Sequence, residues 1–249
     1  MPPKTDFSNI GFADFQRMAS DSKLSRYEKI GFPDTYREGQ EEEIFLDICA
    51  KLTNLSGKAR RVVDIGPGCS DLPFLLIDLC ARNQHALSLL DGKEMLSQLP
   101  DSEDIQKIDT LFPNCPSFLA EEKGRIDAIL CYSVLHYVFE EGSVFRFLDE
   151  ALSLLAPGGQ LLIGDIPNIS KRKRFFASDT GADFHRAFMK TDDAPDVRFN
   201  VSNPGQIDDA AIFGLLQRAR SAGFDAYVVP QSPKLPMANR REDILIVRP

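Results

Sequence analysis

The chain has 249 residues, 43% hydrophobic and 27% charged, which suits one α/β domain with an appendage rather than two equal domains. Its net charge of -8 and pI near 5.0 exclude a broad nucleic-acid surface, since neutralising phosphates needs a surplus of Lys and Arg, and leave room only for a local basic site. No apolar run is long enough to cross a bilayer, and Met1-Pro2-Pro3-Lys4-Thr5-Asp6 lacks the apolar stretch of a secretory signal, so a soluble, cytoplasmic protein is expected.

Along residues 1 to 40, Phe7, Ile10, Phe12, Phe15 and Met18 are too apolar for a disordered tail, while Pro33 and several glycines interrupt any long helix. A partly helical cap is expected there. Arg37 has two readings, a solvated arginine or a partner for a ligand carboxylate. Glu41-Glu42-Glu43 opens a helix whose dipole favours carboxylates, with Ile44, Phe45, Ile48 and Leu52 on one face. Val62 and Val63 then form a strand that runs through Asp64, Gly66, Pro67 and Gly68 into a helix over Leu72 to Cys80, apolar on nearly every side. Pro73 fits its first turn, which has no internal N–H partner to lose.

Ala86 to Leu90 reads as a second strand ending on Asp91-Gly92, and Ile105 to Asp109 as a third. Pro113 and Pro116 leave the rest of 101–124 unassigned. Ile126 to Cys131 is the fourth strand. Ser143 caps a helix carrying Val144, Phe147, Leu148, Ala151, Leu154 and Leu155, Pro157-Gly158-Gly159 stops it, and Gln160 to Asp165 is the fifth strand. A polar insertion over 171–200 carries Lys171-Arg172-Lys173-Arg174 with Phe175, Phe176, Phe184, His185 and Phe188, in the position of a lid. A helix over Asp208 to Ala222 and strands at Tyr227 to Val229 and Ile244 to Val247 complete the chain. Alternating strands and helices indicate a doubly wound parallel sheet. The single domain divides into a cap (1–55), a core (56–170), a lid or acceptor insertion (171–206) and a closing helix with strands (207–249).

A glycine turn between a strand and a helix lets a nucleotide-like ligand approach the backbone and the free N–H groups of the helix. A dinucleotide fingerprint would place a third glycine where Asp71 stands. Asp64, Gly66 and Gly68 instead resemble the first motif of class I S-adenosylmethionine-dependent methyltransferases, with Ser70 where a third glycine is common. Three further stretches resemble that family in the same order: Leu89 to Leu96 around Asp91, Ile126 to Tyr137, and Leu155 to Ile163 with Pro157-Gly158-Gly159. Together they cover Arg61 to Asp165.

The resemblance implies a Rossmann-like sheet of seven strands in the order 3-2-1-4-5-7-6, the last antiparallel. It also implies S-adenosyl-L-methionine as cofactor and S-adenosyl-L-homocysteine as product. By carry-over, Asp64, Gly66, Pro67 and Gly68 lie along the methionine part and Asp91 accepts from both ribose hydroxyls. Gly92 and Lys93 lie beside the adenine, with Asp109 as the acid expected after the third strand. Cys131, Tyr132 and Ser133 lie beneath the sulfonium. Asp127 reads as a residue that fixes the fold.

A sulfonium methyl needs alignment and exclusion of water more than acid–base help, and a base only for an acceptor such as a hydroxyl. His136, Asp165 and His185 are the catalytic candidates, the last two alternatively as groups that orient substrate. Arg240 and Arg241, with Lys171 to Arg174, suggest an anionic small-molecule acceptor such as a phosphorylated or nucleotide-linked sugar, because arginine pairs bidentately with phosphate. O-methylation is favoured over N-methylation. The competing readings are a neutral metabolite as acceptor and a module that binds or senses S-adenosylmethionine without catalysis. Cys49, Cys69, Cys80, Cys115 and Cys131 have no paired spacing and only His85, His136 and His185 are present, so no disulfide framework or metal site is expected. Nothing in the sequence sets an oligomeric state.

Overall fold

Short-range signals build the cap first, within residues 10–249, the part of the chain that the computed structural model describes. Phe7 and the Met1 to Asp6 stretch lie outside it. The cap comprises α1 (Phe12–Ser20), α2 (Arg26–Lys29) and α3 (Asp34–Arg37). Ser25 caps α2 by accepting the Glu28 N–H at 3.1 Å, while the Glu28 carboxylate accepts the Ser25 N–H at 2.9 Å. Pro33 sits just ahead of α3. The next helix, α4 (Glu41–Lys51), buries Ile44, Phe45 and Ile48, and a 3-10 turn at Thr53–Ser56 leads into the sheet.

The core runs through β1 (Arg61–Ile65), α5 (Asp71–Asn83), β2 (Ala86–Asp91), α6 (Lys93–Leu96), β3 (Ile105–Asp109), α7 (Pro116–Glu122), β4 (Ile126–Tyr132), α8 (Leu135–Glu141), α9 (Val144–Leu154) and β5 (Leu155–Pro167). It closes with α10 (Ile169–Phe176), α11 (Asp179–Met189), α12 (Asp209–Ser221), β6 (Asp225–Val229) and β7 (Arg241–Val247). The seven strands lie in the order β3-β2-β1-β4-β5-β7-β6, with β7 antiparallel to both β5 and β6, as the family resemblance implies.

Because successive side chains of a strand face opposite sides, Val62 and Val63 serve two cores. Val62, Leu130 and Leu162 pack with Ile48 and Leu76 on the α4 and α5 side, and Val63, Ile129 and Leu161 pack with Phe147 and Ile212 on the α9 and α12 side. Both faces of the central strands are therefore covered, which is why they read as unbroken apolar runs.

Several boundaries differ from the sequence reading. β5 starts at Leu155 rather than Gln160, because Leu155 pairs with Ile126 before an irregularity in the ladder, and it extends to Pro167. The unassigned 101–124 stretch contains α7, where Pro116 takes a helix-start position that needs no N–H partner. The insertion is a helical hairpin. Asn168 caps α10 by accepting the Ser170 N–H at 2.9 Å, and Ser178 caps α11 by accepting the Gly181 N–H at 3.2 Å. β7 begins at Arg241, so three charged residues stand on the strand ahead of Ile244. Among the described residues no helix is long and apolar enough to cross a membrane.

Candidate cofactor and acceptor site

At the carboxyl ends of β1, β2 and β4 the cap roofs a cavity of about 310 Å³. Gly66 and Gly68, at φ of +72° and +67°, form its floor in a conformation that side chains resist. A Cβ on Gly66 would come within 2.5 Å of Val134 Cγ2, and one on Gly68 within 2.7 Å of Ile30 Cγ2. The Gly66 N–H donates to the Leu90 carbonyl at 2.8 Å, tying the turn to β2. Asp91 follows at the end of that strand. Its Oδ2 accepts the Gly68 N–H at 2.9 Å and its Oδ1 the Gly92 N–H at 2.7 Å. Burial pushes its carboxyl up to about 6 against the lowering effect of those two N–H groups.

Met95, Leu111 and Phe112 make one apolar wall of the cavity, and Phe12, Phe15, Ile30 and Phe32 of the cap make the other. Pro67, Tyr132 and Ser133 complete the lining among the residues expected to touch cofactor. Asp64, Gly92, Lys93, Asp109 and Cys131 do not line it. Asp64 is buried behind the glycine turn, where burial and then the charge of Asp91 raise it to about 8. Asp109 is exposed and accepts the Lys93 N–H at 3.1 Å, and it is the following Thr110, Leu111 and Phe112 that face the cavity. Cys131 is fully buried in the sheet, which pushes its thiol up. Asp127 binds the Arg61 N–H at 2.9 Å and the Arg60 guanidinium at 3.1 Å, well away from the cavity lining.

Beside the cavity lies a buried ionic network. Arg37 is 4% exposed, so it is no solvated arginine: its Nη2 donates to Ser133 Oγ at 2.6 Å and to Asp165 Oδ2 at 3.2 Å, its Nη1 lies 3.7 Å from Glu41, and its guanidinium covers the Phe32 ring at 4.3 Å. Asp165 also accepts from Arg241 Nη1 at 2.6 Å and from Gln231 Nε2 at 3.3 Å, and its own N–H donates to Asp243 at 2.8 Å. Lys51 Nζ meets Asp243 at 2.7 Å. Burial alone would raise Asp165, but Arg241 and Arg37, with the Ser133 and Gln231 hydrogen bonds, hold it below the usual carboxylate range.

The structure thus brings Asp165, Ser133 and Arg241 together. His136 stands close to them: burial and the charge of Arg241 lower it to about 3 against the pull of Asp165, and its buried Nδ1 has no hydrogen-bond partner among the described residues. The His136 ring packs on Tyr137, centroids 3.9 Å apart. His185 is placed apart from this group, in α11, with its ring edge-on to Phe176 at 6.2 Å. Arg240 is separated from Arg241 by its environment, lying over the Phe184 ring at 5.6 Å. No metal-binding cluster of His, Cys, Asp and Glu occurs among the described residues.

The sequence reading missed the aromatic roof and the wall after β3. Phe12 and Phe15 announced burial without saying against what, Ile30 and Phe32 stood outside that pattern, and Leu111-Phe112 fell in the unassigned stretch.

No family model matches the chain, and no curated protein matches it. Solved structures do. The plantazolicin methyltransferase BpumL, solved with a monoazolic desmethylPZN analog and SAH, aligns with a TM-score of 0.58 at 12% identity over 95% of this chain and 97% of its own. The N-methyltransferase NodS from Bradyrhizobium japonicum WM9, solved with S-adenosyl-l-homocysteine, aligns with a TM-score of 0.56 at 14% identity over 96% and 98%. The CurJ carbon methyltransferase aligns with a TM-score of 0.55 at 17% identity over 95% of this chain but 64% of its own, so the chain spans less than two thirds of that protein. Strand order, the antiparallel β7 and these alignments agree: the chain has the fold of the class I S-adenosylmethionine-dependent methyltransferases.

Proposed function

We propose that this chain is an S-adenosylmethionine-dependent methyltransferase that methylates an oxygen of a small-molecule acceptor. The observation that carries the reading is Asp91: a carboxylate at the end of β2, steadied by the Gly68 and Gly92 N–H groups and facing a cavity floored by two left-handed glycines. Such a carboxylate suits a ribose cis-diol, because its two oxygens keep lone pairs for two O–H donors.

The lining residues fit the rest of the cofactor. Met95, Leu111 and Phe112 offer an apolar slot for a purine, and Arg37, one of two arginines lining the cavity with Arg146, is the cation proposed for an amino-acid carboxylate. The cofactor supplies a methyl group activated by the sulfonium charge. The protein's share is then alignment and exclusion of water, for which the cap provides the roof. Ser133 lines the cavity and is held from behind by Asp165. His136 is neutral and packs on the cavity-lining Tyr137, though it does not itself line the cavity, and it is the residue we put forward to take the acceptor's proton. A weak base suffices there, since a hydroxyl oxygen becomes strongly acidic as it gains the methyl group. Asp165, saturated by donors, acts as a positioning residue.

Calorimetry with S-adenosylmethionine, S-adenosylhomocysteine and NAD tests the proposal. Binding of the first two is expected; tight binding of NAD with no response to the others would sink it. Binding of both sulfur compounds without methyl transfer across a broad acceptor panel would instead leave a sensing module.

A further inference from the structure

The basic residues after β5 and at the start of β7 fall into two groups. Arg174 pairs with Asp209 at 2.5 Å, Lys171 donates to the Arg241 carbonyl at 2.6 Å, Lys173 donates to Asn203 Oδ1 at 2.6 Å, and Arg241 pairs with Asp165 at 2.6 Å. Arg172 and Arg240 meet no carboxylate among the described residues. The one side-chain hydrogen bond of Arg240 there is to Asn239 Oδ1 at 3.3 Å. The acids that could have served are engaged elsewhere, Asp209 by Arg174 and Asn168, and Glu242 by Asn168 at 2.6 Å.

Both free guanidiniums lie over aromatic rings of the α10–α11 hairpin, Arg172 over Phe176 at 5.2 Å and Arg240 over Phe184 at 5.6 Å, and the two rings are 6.3 Å apart. Phe184 is 37% exposed, so part of its face is open. Arg240 is half-buried, and burial and the charges of Arg241 and Arg172 disfavour its charged form, with Tyr36 opposing. Gathering like charges in a partly desolvated place costs free energy that an anion offsets. In a chain of net charge -8 this local surplus stands out. Arg241, the next residue in the chain after Arg240, holds Asp165 at the carboxyl end of β5.

We propose that Arg172 and Arg240 form an anion subsite for the acceptor, with Phe176 and Phe184 as the wall for its ring, so that the acceptor is a ring compound bearing a phosphate or a carboxylate. Arg241, engaged by Asp165, is then a positioning residue rather than the anion's partner. Calling the ligand an acceptor rests on the methyltransferase reading; the anion subsite itself does not.

The test is calorimetry on the full chain with phenyl phosphate, benzoate and phenol, beside S-adenosylhomocysteine. At least one anion should bind about tenfold or more tightly than phenol, as charge-assisted hydrogen bonds require. Arg172→Ala and Arg240→Ala should each lose about tenfold in that affinity and leave S-adenosylhomocysteine binding unchanged. Arg172 is exposed, so its variant leaves the core untouched, and Arg240→Lys, which keeps the charge, should retain part of the binding. The proposal is overturned if no anion binds, if phenol binds equally well, or if the arginine variants bind the anion as the parent does. Anion binding that depends on the arginines, without any binding of S-adenosylhomocysteine, would remove the cofactor reading and keep the subsite. The relative strength of phenyl phosphate and benzoate identifies the charged group.

Discussion

Ser133 and Asp165 stand at the carboxyl ends of the neighbouring strands β4 and β5, both in the left-handed conformation at φ of +60° and +58°, and the Ser133 hydroxyl donates to Asp165 Oδ2. Two non-glycine residues in this conformation, joined side chain to side chain, mark the place where the fold holds backbone strain. Arg37 and Arg241 close on the same carboxylate from the cap and from β7.

Replacing Asp165 by Asn tests that arrangement. Asn tolerates the left-handed backbone, so the change isolates the charge. With the buried Arg37 and the partly buried Arg241 left without their shared anion, the variant should lose about 3–5 kcal/mol of stability. Urea unfolding monitored by circular dichroism measures it, and a loss below about 1 kcal/mol would show that the network contributes little.

Asp91 makes cofactor affinity depend on pH. Its carboxyl is raised to about 6, and ribose hydroxyls donate best to the ionised form. Affinity for S-adenosylhomocysteine should therefore rise as pH climbs through about 6 and level off above it. In Asp91→Asn the step should vanish and binding weaken by about 1–3 kcal/mol at neutral pH. The stability effect runs the other way: between the unfolded value and about 6 the folded state holds a proton that the unfolded chain has released, so this group's contribution falls as pH rises through that window.

At the glycine turn, Gly66→Ala should act twice. The φ of +72° costs an alanine about 1–2 kcal/mol, and its Cβ would also press on Val134 Cγ2 at 2.5 Å. Lower thermal stability and weaker cofactor binding are both expected. The double variant with Val134→Ala should recover the steric part and leave the backbone part, which a double-mutant cycle separates.

The cap is fastened to the core near the first motif, where the Tyr27 hydroxyl donates to Asp71 Oδ2 at 2.6 Å and Arg26 pairs with the same carboxylate. Tyr27→Phe removes one fastening at a cost of about 1 kcal/mol. If the cap gates the cavity, stopped-flow release of S-adenosylhomocysteine should be several-fold faster in this variant, with little change in the unfolding midpoint. An unchanged release rate would mean that the cap does not move during exchange.

The sheet was legible because its central strands announce themselves. Val62-Val63, Ile129-Leu130 and Leu161 to Ile163 are covered on both faces and so are apolar without a break. Asp91 was legible from its place at a strand end before a glycine. Arg37 was not, because its burial depends on Ser133 and Asp165, which lie 96 and 128 residues away. The charged start of β7 was hidden for the same reason: Asp243 finds Lys51 across 192 residues. Local patterns report propensity and amphipathicity, whereas a buried ion pair is a property of two distant stretches meeting.

Arg37 belongs to the cap, faces the cavity and holds the Ser133–Asp165 pair. A ligand carboxylate that drew this guanidinium toward the cavity would take positive charge away from Asp165. Binding in the cavity and the charge balance at Asp165 would then be linked, by thermodynamic reciprocity equally in both directions. One arginine on a short helix thus borders the cavity with one side and anchors the buried network with the other.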